Sequence, residues 1–444
     1  MKLITIFLCK ALSLVGRLIG KGSSLPGKIA LKLCPNILSR LTLPKQIIAV
    51  TGSNGKTYTV EMIARVLTEN GKQVVWNKEG SNQIEGVTTL LLNHASLSGK
   101  VKGDIILLES DERFARLTFQ HIKPTVFIIT NLYRDQLTRN GHPYRIYDYL
   151  KIAVDLIPDA KLVLNGDDPI VRKFGLDRKD VAYFGMDENA LSTRQSDALF
   201  NDCYYCPVCK EALTYDYFHY THLGGYRCDS CGYSKPETAW TVSAMDLENE
   251  QIVINGNPIA LEFASKYNVY NLCAAYAAAD LAGIPDEKIA AVLSDFIMKN
   301  GRVVRFEAGE NQGLLITSKH ENSTSYNQSL SYICAQKEKF DLVIIVDAIS
   351  RKYYTAETSW LWDISFEILK DSAVEKIYLT GKYAYDLGLR FQLAGIENAI
   401  VEPDLDKMGQ AIREKTENKL YAVTCFSDKE KLFAQVKVMG PVAK

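Results

Sequence analysis

Residues 47–59 read IIAVTGSNGKTYT, a branched apolar run that stops at a glycine and gives way to a helical pattern beginning at a lysine. Ile47 to Val50 has the composition of a short, buried parallel strand. From Lys56 to Asn70 the apolar residues Met62, Ile63, Val66 and Leu67 recur at helical spacing, and Gly71 ends the pattern. Gly52 and Gly55 therefore fall in a strand-to-helix turn. Bare backbone there lets N–H groups approach phosphate oxygens, and the helix N-terminus adds the positive end of its dipole. Lys56 is placed to reach the terminal phosphates of a nucleotide and the Thr57 hydroxyl to bind Mg²⁺, so ATP-dependent chemistry is expected. The residue five before Gly55 is Val50, where the full phosphate-loop pattern has glycine. A glycine-rich turn with no nucleotide is the alternative reading.

Composition bounds the rest. A chain of 444 residues exceeds one ordinary core, which predicts two or three domains. A content of 47% hydrophobic and 23% charged residues argues against disorder, and 52 basic against 52 acidic side chains give no global electrostatic case for nucleic acid. Ten cysteines, four of them in two C-x-x-C pairs, combine with the lack of a convincing secretory signal to indicate a reducing cytosol.

Residues 1–21 are apolar except for Lys2, Lys10, Arg17 and Lys21, which fall on one stripe at about 100° per residue, the pattern of an amphipathic helix. Lys10 and Arg17 interrupt the roughly 20 apolar residues a membrane span needs. Two readings stand: a helix packed on the protein or a partner, or one lying on the inner face of the membrane. Leu25-Pro26-Gly27 reads as a break before a second helical stretch from Ile29 to Leu41. From Ile47 on, residues 73–76, 104–109, 125–130 and 161–165 read as strands with helical patterns between them, hence a parallel sheet. In such sheets ligands bind beyond the carboxyl ends of the strands. Polar runs sit there: Glu109-Ser110-Asp111-Glu112, Thr130-Asn131 followed by Arg134-Asp135-Gln136, and Asn165-Gly166-Asp167-Asp168-Pro169. Glu109, ending a strand beside the phosphate loop, is assigned to the Mg²⁺ shell. Asp111 and Glu112 read equally well as acids at a helix N-terminus.

Cys206-Pro-Val-Cys209 and Cys228-Asp-Ser-Cys231, eighteen residues apart, have the spacing of a four-thiolate zinc ribbon with a structural Zn²⁺. Strand-like stretches at 213–220 and 225–227 lie between the pairs. Cys203, three before Cys206, makes a rival knuckle.

The runs GSNGKT, EGSNQIEG (79–86), LLESDE (107–112), TNLYRDQL (130–137), LVLNGDDP (162–169) and YNVYN (267–271) together resemble, over nearly the whole chain, the MurT family, the Mur-ligase-like subunits of lipid II isoglutaminyl synthases. The resemblance implies a Mur-type P-loop ATPase domain at 46–302 carrying a zinc-ribbon insertion at about 200–238, preceded by amphipathic helices at 1–45 and followed by a second doubly wound α/β domain at 303–444. It implies an ATP-dependent carbon–nitrogen ligase that activates the D-glutamate α-carboxylate of lipid II as an acyl phosphate and amidates it. The ammonia would come from a GatD-like glutaminase partner in a heterodimer. By the same resemblance Gly52, Asn54, Gly55, Lys56 and Thr57 hold ATP, Thr57 and Glu109 hold Mg²⁺, and Asn268 and Asn271 line the adenine side. Arg302 follows the central domain as a further cofactor contact, and Cys206 is favoured over Cys203 as the zinc ligand. Asn268 and Asn271 also read as caps of a helix from Leu272 to Ala282.

In the carboxyl-terminal part, strands are expected at 313–317, 341–346, 376–380, 399–401 and 420–424, and helices at 326–337, 359–369, 384–394 and 405–415. Thr358-Ser-Trp-Leu-Trp-Asp363 resembles the family's SWxWD run, in which Trp360 and Trp362 read as core or interface anchors. Just before it the family carries an acidic DGxD loop serving the glutaminase's Cys-His pair, whereas this chain has Tyr354-Thr355-Ala356-Glu357. Glu357 keeps the one carboxylate and is the candidate catalytic acid. The family's RDQLDRYGE and KNPAG runs are here 134–142 and 319–323, with Thr138 and His142 replacing acids. These departures bear on substrate and partner. A diverged ligase acting on another carboxylate without a glutaminase, and a non-catalytic nucleotide-binding scaffold subunit, are the alternatives.

Overall fold

The computed structural model describes residues 1–18, 24–78, 82–196, 198–246, 248–261, 265–297, 303–348 and 357–441, which form two compact units. The first comprises residues 1–132, 143–195 and 203–296, and the second residues 133–142, 196–202 and 297–444.

In the first unit, β1 (Gln46–Thr51), β2 (Val74–Trp76), β3 (Ile105–Glu109), β4 (Val126–Ile129), β5 (Lys161–Asn165) and β6 (Val181–Met186) run parallel. β7 (Thr214–Tyr220) and β8 (Leu223–Arg227) form a separate antiparallel pair. β9 (Trp240–Asp246) continues the parallel sheet beyond β6, and β10 (Gln251–Ile254) and β11 (Asn257–Ala260) close it as an antiparallel edge, in the order β11-β10-β9-β6-β5-β4-β1-β3-β2. Ile47, Ile48, Ala49 and Val50 are all buried, as a central strand covered on both faces requires. The four expected strands are present, and β6 and β9 to β11 extend them. Asn255-Gly256, both at positive φ, is the tight β10–β11 turn, a hairpin signal the sequence carried.

At the amino end, α1 (Lys2–Leu18) packs on α2 (Leu25–Leu33), and α3 (Lys56–Glu69) follows the phosphate loop; α4 (Ile84–His94) contacts both α1 and α2. The expected break at Leu25-Pro26-Gly27 is instead the first turn of α2. Proline is tolerated there because the N–H it lacks would have no partner in the helix. The helix stops at Leu33, short of Pro35, so the expected helix to Leu41 is replaced by a short 3₁₀ turn at Leu38–Arg40.

The second unit has strands β12 (Val303–Ala308), β13 (Asn311–Ser318), β14 (Phe340–Ile345), β15 (Val374–Thr380), β16 (Ala399–Glu402), β17 (Lys419–Cys425) and β18 (Lys437–Pro441), ordered β16-β15-β14-β17-β13-β12-β18. The first five in that order are parallel, while β12 pairs antiparallel with both β13 and β18. Here too the expected strands are present, with an antiparallel edge added. The helix expected at 359–369 is two 3₁₀ turns, Ser359–Asp363 and Phe366–Asp371. The Ser365 N–H between them donates to the Asn327 side chain at 2.8 Å, which takes it out of any helical ladder.

Candidate active site

The turn between β1 and α3 is shaped by glycine. Gly55 sits at φ +84° as the N-cap of α3, and a Cβ there would lie 2.0 Å from Asn271 Oδ1. Gly52 is at φ +145°, and a Cβ on it would meet Thr130 Oγ1 at 2.1 Å. The end of β4 holds the loop in place. The Asn131 side chain accepts from Asn54 N at 2.9 Å and donates to Asn54 O at 3.2 Å, its carbonyl accepts from Ser53 N at 3.0 Å, and Thr130 Oγ1 donates to Asn54 O at 3.1 Å. The loop is thus fixed before any ligand arrives, and the first-turn N–H groups of α3 lie beyond the reach of intrahelical bonds.

Lys56 opens α3, donates to the carbonyl of Gly52 and lies 2.5 Å from Glu112 Oε1. Burial alone would pull its pKa down, but Glu112, Glu109 and Asp111 outweigh that and raise it, so the ammonium stays charged. Thr57 follows it, exposed in the first turn. Register brings Glu109 here: β1 pairs with β3 so that Val50 stands opposite Glu109. Glu109 is buried, its Oε1 accepting from Asn82 Nδ2 at 3.1 Å, and Asn77 clamps its backbone by accepting from its N–H at 2.9 Å and donating to its carbonyl at 3.0 Å. Glu61 on α3 has its pKa raised by burial and by Glu109. Asp111 and Glu112 are not helix-start acids, because the next helix is Ala115–Thr118 and its first turn holds no acid. Glu112 faces Lys56 instead, and Asp111 accepts from Arg113 N at 3.0 Å.

Asn268 and Asn271 are also not caps. The helix runs from Lys266 to Leu281 with Ser265 at its start, because Val269 and Tyr270 are buried and extend the packed face toward the amino end. Asn271 is packed on Gly55, and Asn268 Nδ2 donates to Tyr58 OH at 3.3 Å. Both asparagines therefore border the phosphate loop. Arg302 lies outside the described residues.

The sulfurs of Cys206, Cys209, Cys228 and Cys231 all lie within 4.8 Å of one another. Cys206 and Cys231 are 3.7 Å apart and Cys209 and Cys228 3.4 Å, close to the edge of about 3.8 Å that four 2.3 Å metal–sulfur bonds give a tetrahedron. Burial raises the Cys228 thiol, but the N–H groups of Cys231 and Ser230 and the Cys209 thiol bring it to about 7. Cys203 stands outside this group, its sulfur 3.6 Å from the Tyr205 carbonyl.

A second buried network joins this insert to the sheet. Asp167, fully buried after β5, accepts from Met186 N at 2.8 Å and Tyr270 OH at 2.6 Å, and pairs with Lys235 Nζ at 2.8 Å. Its neighbour Asp168 caps the helix Pro169–Arg172, accepts from Leu132 N at 2.8 Å and lies 3.3 Å from His222. The acids of the Asn165–Pro169 run thus hold the scaffold.

In the second unit, β13 is followed by Lys319, whose ammonium pairs with Asp135, while Asn322 donates to the other oxygen of Asp135 at 2.8 Å. Thr138, standing where the family's run has an acid, donates to Glu321. Burial raises the pKa of Glu321. Glu357 is exposed and accepts from Ser359 N at 2.7 Å; hydrogen bonding from the Ser359 side chain, and then from its N–H, lowers the pKa of the carboxylate. Trp360 is buried against Tyr326, whereas Trp362 is 42% exposed.

A parallel sheet whose central strand runs through a glycine turn into a lysine-headed helix, with a buried glutamate on the next strand, is the arrangement of a Mur-ligase-like α/β fold, and residues 50–211 match the Mur ligase middle domain. A pseudomurein peptide ligase type C from Methanothermus fervidus superposes with a TM-score of 0.69 at 20% identity, over 90% of this chain and 80% of that one, a likeness of fold. Residues 320–428 match the MurT ligase C-terminal domain. The lipid II isoglutaminyl synthase (glutamine-hydrolyzing) subunit MurT of Staphylococcus aureus is 31% identical over 90% of both chains; that of Streptococcus pneumoniae is 32% identical over 85% of this chain and 83% of its own. The chain belongs to the MurT family.

Proposed function

We propose that the protein is the ATP-dependent, amide-forming subunit of a glutamine-hydrolysing ligase acting on the D-glutamate α-carboxylate of lipid II in peptidoglycan synthesis. The observation that carries the reading is the largely buried Lys56 ammonium beside Glu109 and Glu112 at the mouth of a pre-formed glycine loop, in a chain of the MurT family.

Gly52, Asn54, Gly55 and Lys56 would cradle the ATP phosphates, with Asn268 and Asn271 on the adenine side. Thr57 and Glu109 would hold Mg²⁺, which when bound offsets charge on the transferring phosphoryl group. Lys56, kept protonated by its acidic neighbours, orients the terminal phosphate toward the substrate carboxylate, and ammonia then displaces phosphate from the resulting acyl phosphate. The four clustered thiols fit Zn²⁺ in a closed structural site that would order the insert about residues 200–238. Any single Cys→Ser change at 206, 209, 228 or 231 is expected to remove the metal and protease resistance together, while Cys203→Ser keeps both. Full zinc in Cys228→Ser by elemental analysis would refute this assignment.

Ammonia would come from a GatD-like glutaminase in a heterodimer, with Glu357 orienting the partner's catalytic histidine. The test is amidation by the reconstituted pair with a D-glutamate-containing lipid precursor, following ADP release and glutamine hydrolysis. Glu357→Gln is expected to slow glutamine hydrolysis by about a hundredfold while leaving ammonia-driven ADP release unchanged. Equal glutamine hydrolysis would remove Glu357 from the mechanism, and ADP release indifferent to the lipid precursor would remove the substrate. One observation favours the reading without a glutaminase: the Glu357 carboxylate is engaged by its own Ser359 N–H.

A further inference from the structure

Helix α1 turns its apolar side away from the protein. Ile6, Cys9 and Ser13 are buried, and Lys10 Nζ donates to the carbonyl of Asn93 on α4 at 3.0 Å. Lys2 lies along Gly99, its Nζ 3.0 Å from where a Cβ on that glycine would stand. Leu3, Ile4, Phe7, Leu14 and Val15, each more than half exposed, fall on the other side within an arc of about 120° at about 100° per residue. A helix on a water-facing surface buries its apolar stripe and shows its polar one; this helix buries Ile6 and Cys9 but leaves a second, continuous apolar strip exposed.

Charge points the same way. The whole chain is balanced at 52 basic and 52 acidic residues, yet residues 1–45 hold eight basic side chains (Lys at 2, 10, 21, 28, 32 and 45, Arg at 17 and 40) and no acid, the first being Glu61. Lys28, Lys32, Arg40 and Lys45 are exposed. Among the described residues no helix is long and apolar enough to cross a membrane. A second copy of the chain is the weaker occupant. A 17-residue helix is about 25 Å long and presents a strip about 10 Å wide, roughly 250 Å², against about 800 Å² per partner in a stable dimer.

We propose that α1 is an interfacial membrane anchor: Leu3, Ile4, Phe7, Leu14 and Val15 enter the headgroup–acyl boundary of an anionic bilayer, and the basic residues on and around α2 engage lipid phosphates. The anchor works independently of nucleotide and of the ligase reaction.

The experiment is co-sedimentation of the full chain with vesicles of phosphatidylcholine containing about 30% phosphatidylglycerol, or of phosphatidylcholine alone, at low salt and at about 0.5 M salt. The wild type is expected to pellet with the anionic vesicles, with about tenfold less bound on neutral vesicles or at high salt. Phe7→Glu/Leu14→Glu, both at exposed positions, is expected to lower anionic-vesicle binding about tenfold with an unchanged melting temperature. Lys28→Glu/Lys32→Glu is expected to abolish the preference for anionic lipid and serves if the first variant misfolds. Wild-type protein remaining in the supernatant with both vesicle types would overturn the proposal, as would equal binding by wild type and both variants. A wild-type dimer that Phe7→Glu/Leu14→Glu converts to monomer in sedimentation velocity, with no vesicle binding, would assign the face to a second copy and overturn it equally.

Discussion

Each unit contains a parallel strand that turns into a helix at its carboxyl end, and the two turns use their helix N-termini in opposite ways. After β1, the N-cap of α3 is Gly55, which has no side chain to offer, and the loop is held from outside by Thr130 and Asn131. After β13, the N-cap of the helix Ser323–Cys334 is Asn322, whose Oδ1 accepts from Ser325 N at 2.7 Å. The first helix has no capping side chain at its positive end; the second carries its own. The lysines differ likewise. Lys56 lies on the helix among acids that belong to the loop's surroundings, while Lys319 lies just past the strand and pairs with Asp135. The same βα geometry thus ends in a glycine cap held by a neighbouring strand in one unit, as the proposed phosphate binding requires, and in a side-chain cap in the other.

The comparison is most exposed at Lys56. Lys56→Ala is expected to lower ATP turnover by about a thousandfold with the fold intact, because the ammonium is a point charge beside the loop and not part of a core cluster. Near-normal turnover with a native melting curve would mean that the first turn binds no phosphate. A smaller effect is expected at the next residue. Thr57→Ala should need about tenfold more Mg²⁺ for half-maximal ADP release, since an exposed hydroxyl supplies one ligand among several; an unchanged magnesium titration would free Thr57 of that role. The smallest effect on nucleotide handling falls on the self-capped turn. Asn322→Ala is expected to leave nucleotide affinity unchanged while costing about 2–3 kcal/mol in denaturant unfolding, because it removes both the helix cap and the hydrogen bond to the buried Asp135 carboxylate. A loss of nucleotide affinity there would erase the contrast between the turns.

Much of this was legible in the sequence because it rests on short-range pattern. The glycine turn between β1 and α3, the strands of both parallel series and the two cysteine knuckles each depend on residues within a few positions of one another. The errors were also local. Pro26 was read as a breaker where it opens a helix, and the helix at 359–369 was read through two 3₁₀ turns because Trp360, Leu361, Phe366 and Leu369 are all buried and so keep a helical period. The edge strands β9 to β11 went unread although Asn255-Gly256 marks their turn.

By itself, then, the sequence determined the kind of loop, the kind of sheet and the set of thiols, since strand, turn, lysine and C-x-x-C spacing act through neighbours along the chain. Only the tertiary structure decided which side chains complete each of them. Asn131 reaches Asn54 across 77 positions, Glu112 reaches Lys56 across 56, and Tyr270 reaches Asp167 across 103. Glu321 supplies the carboxylate opposite Thr138 across 183. Such pairs are set by which strands become neighbours and in what register, as when β1 aligns Val50 with Glu109; a one-residue slip there would turn the Glu109 side chain to the other face of the sheet.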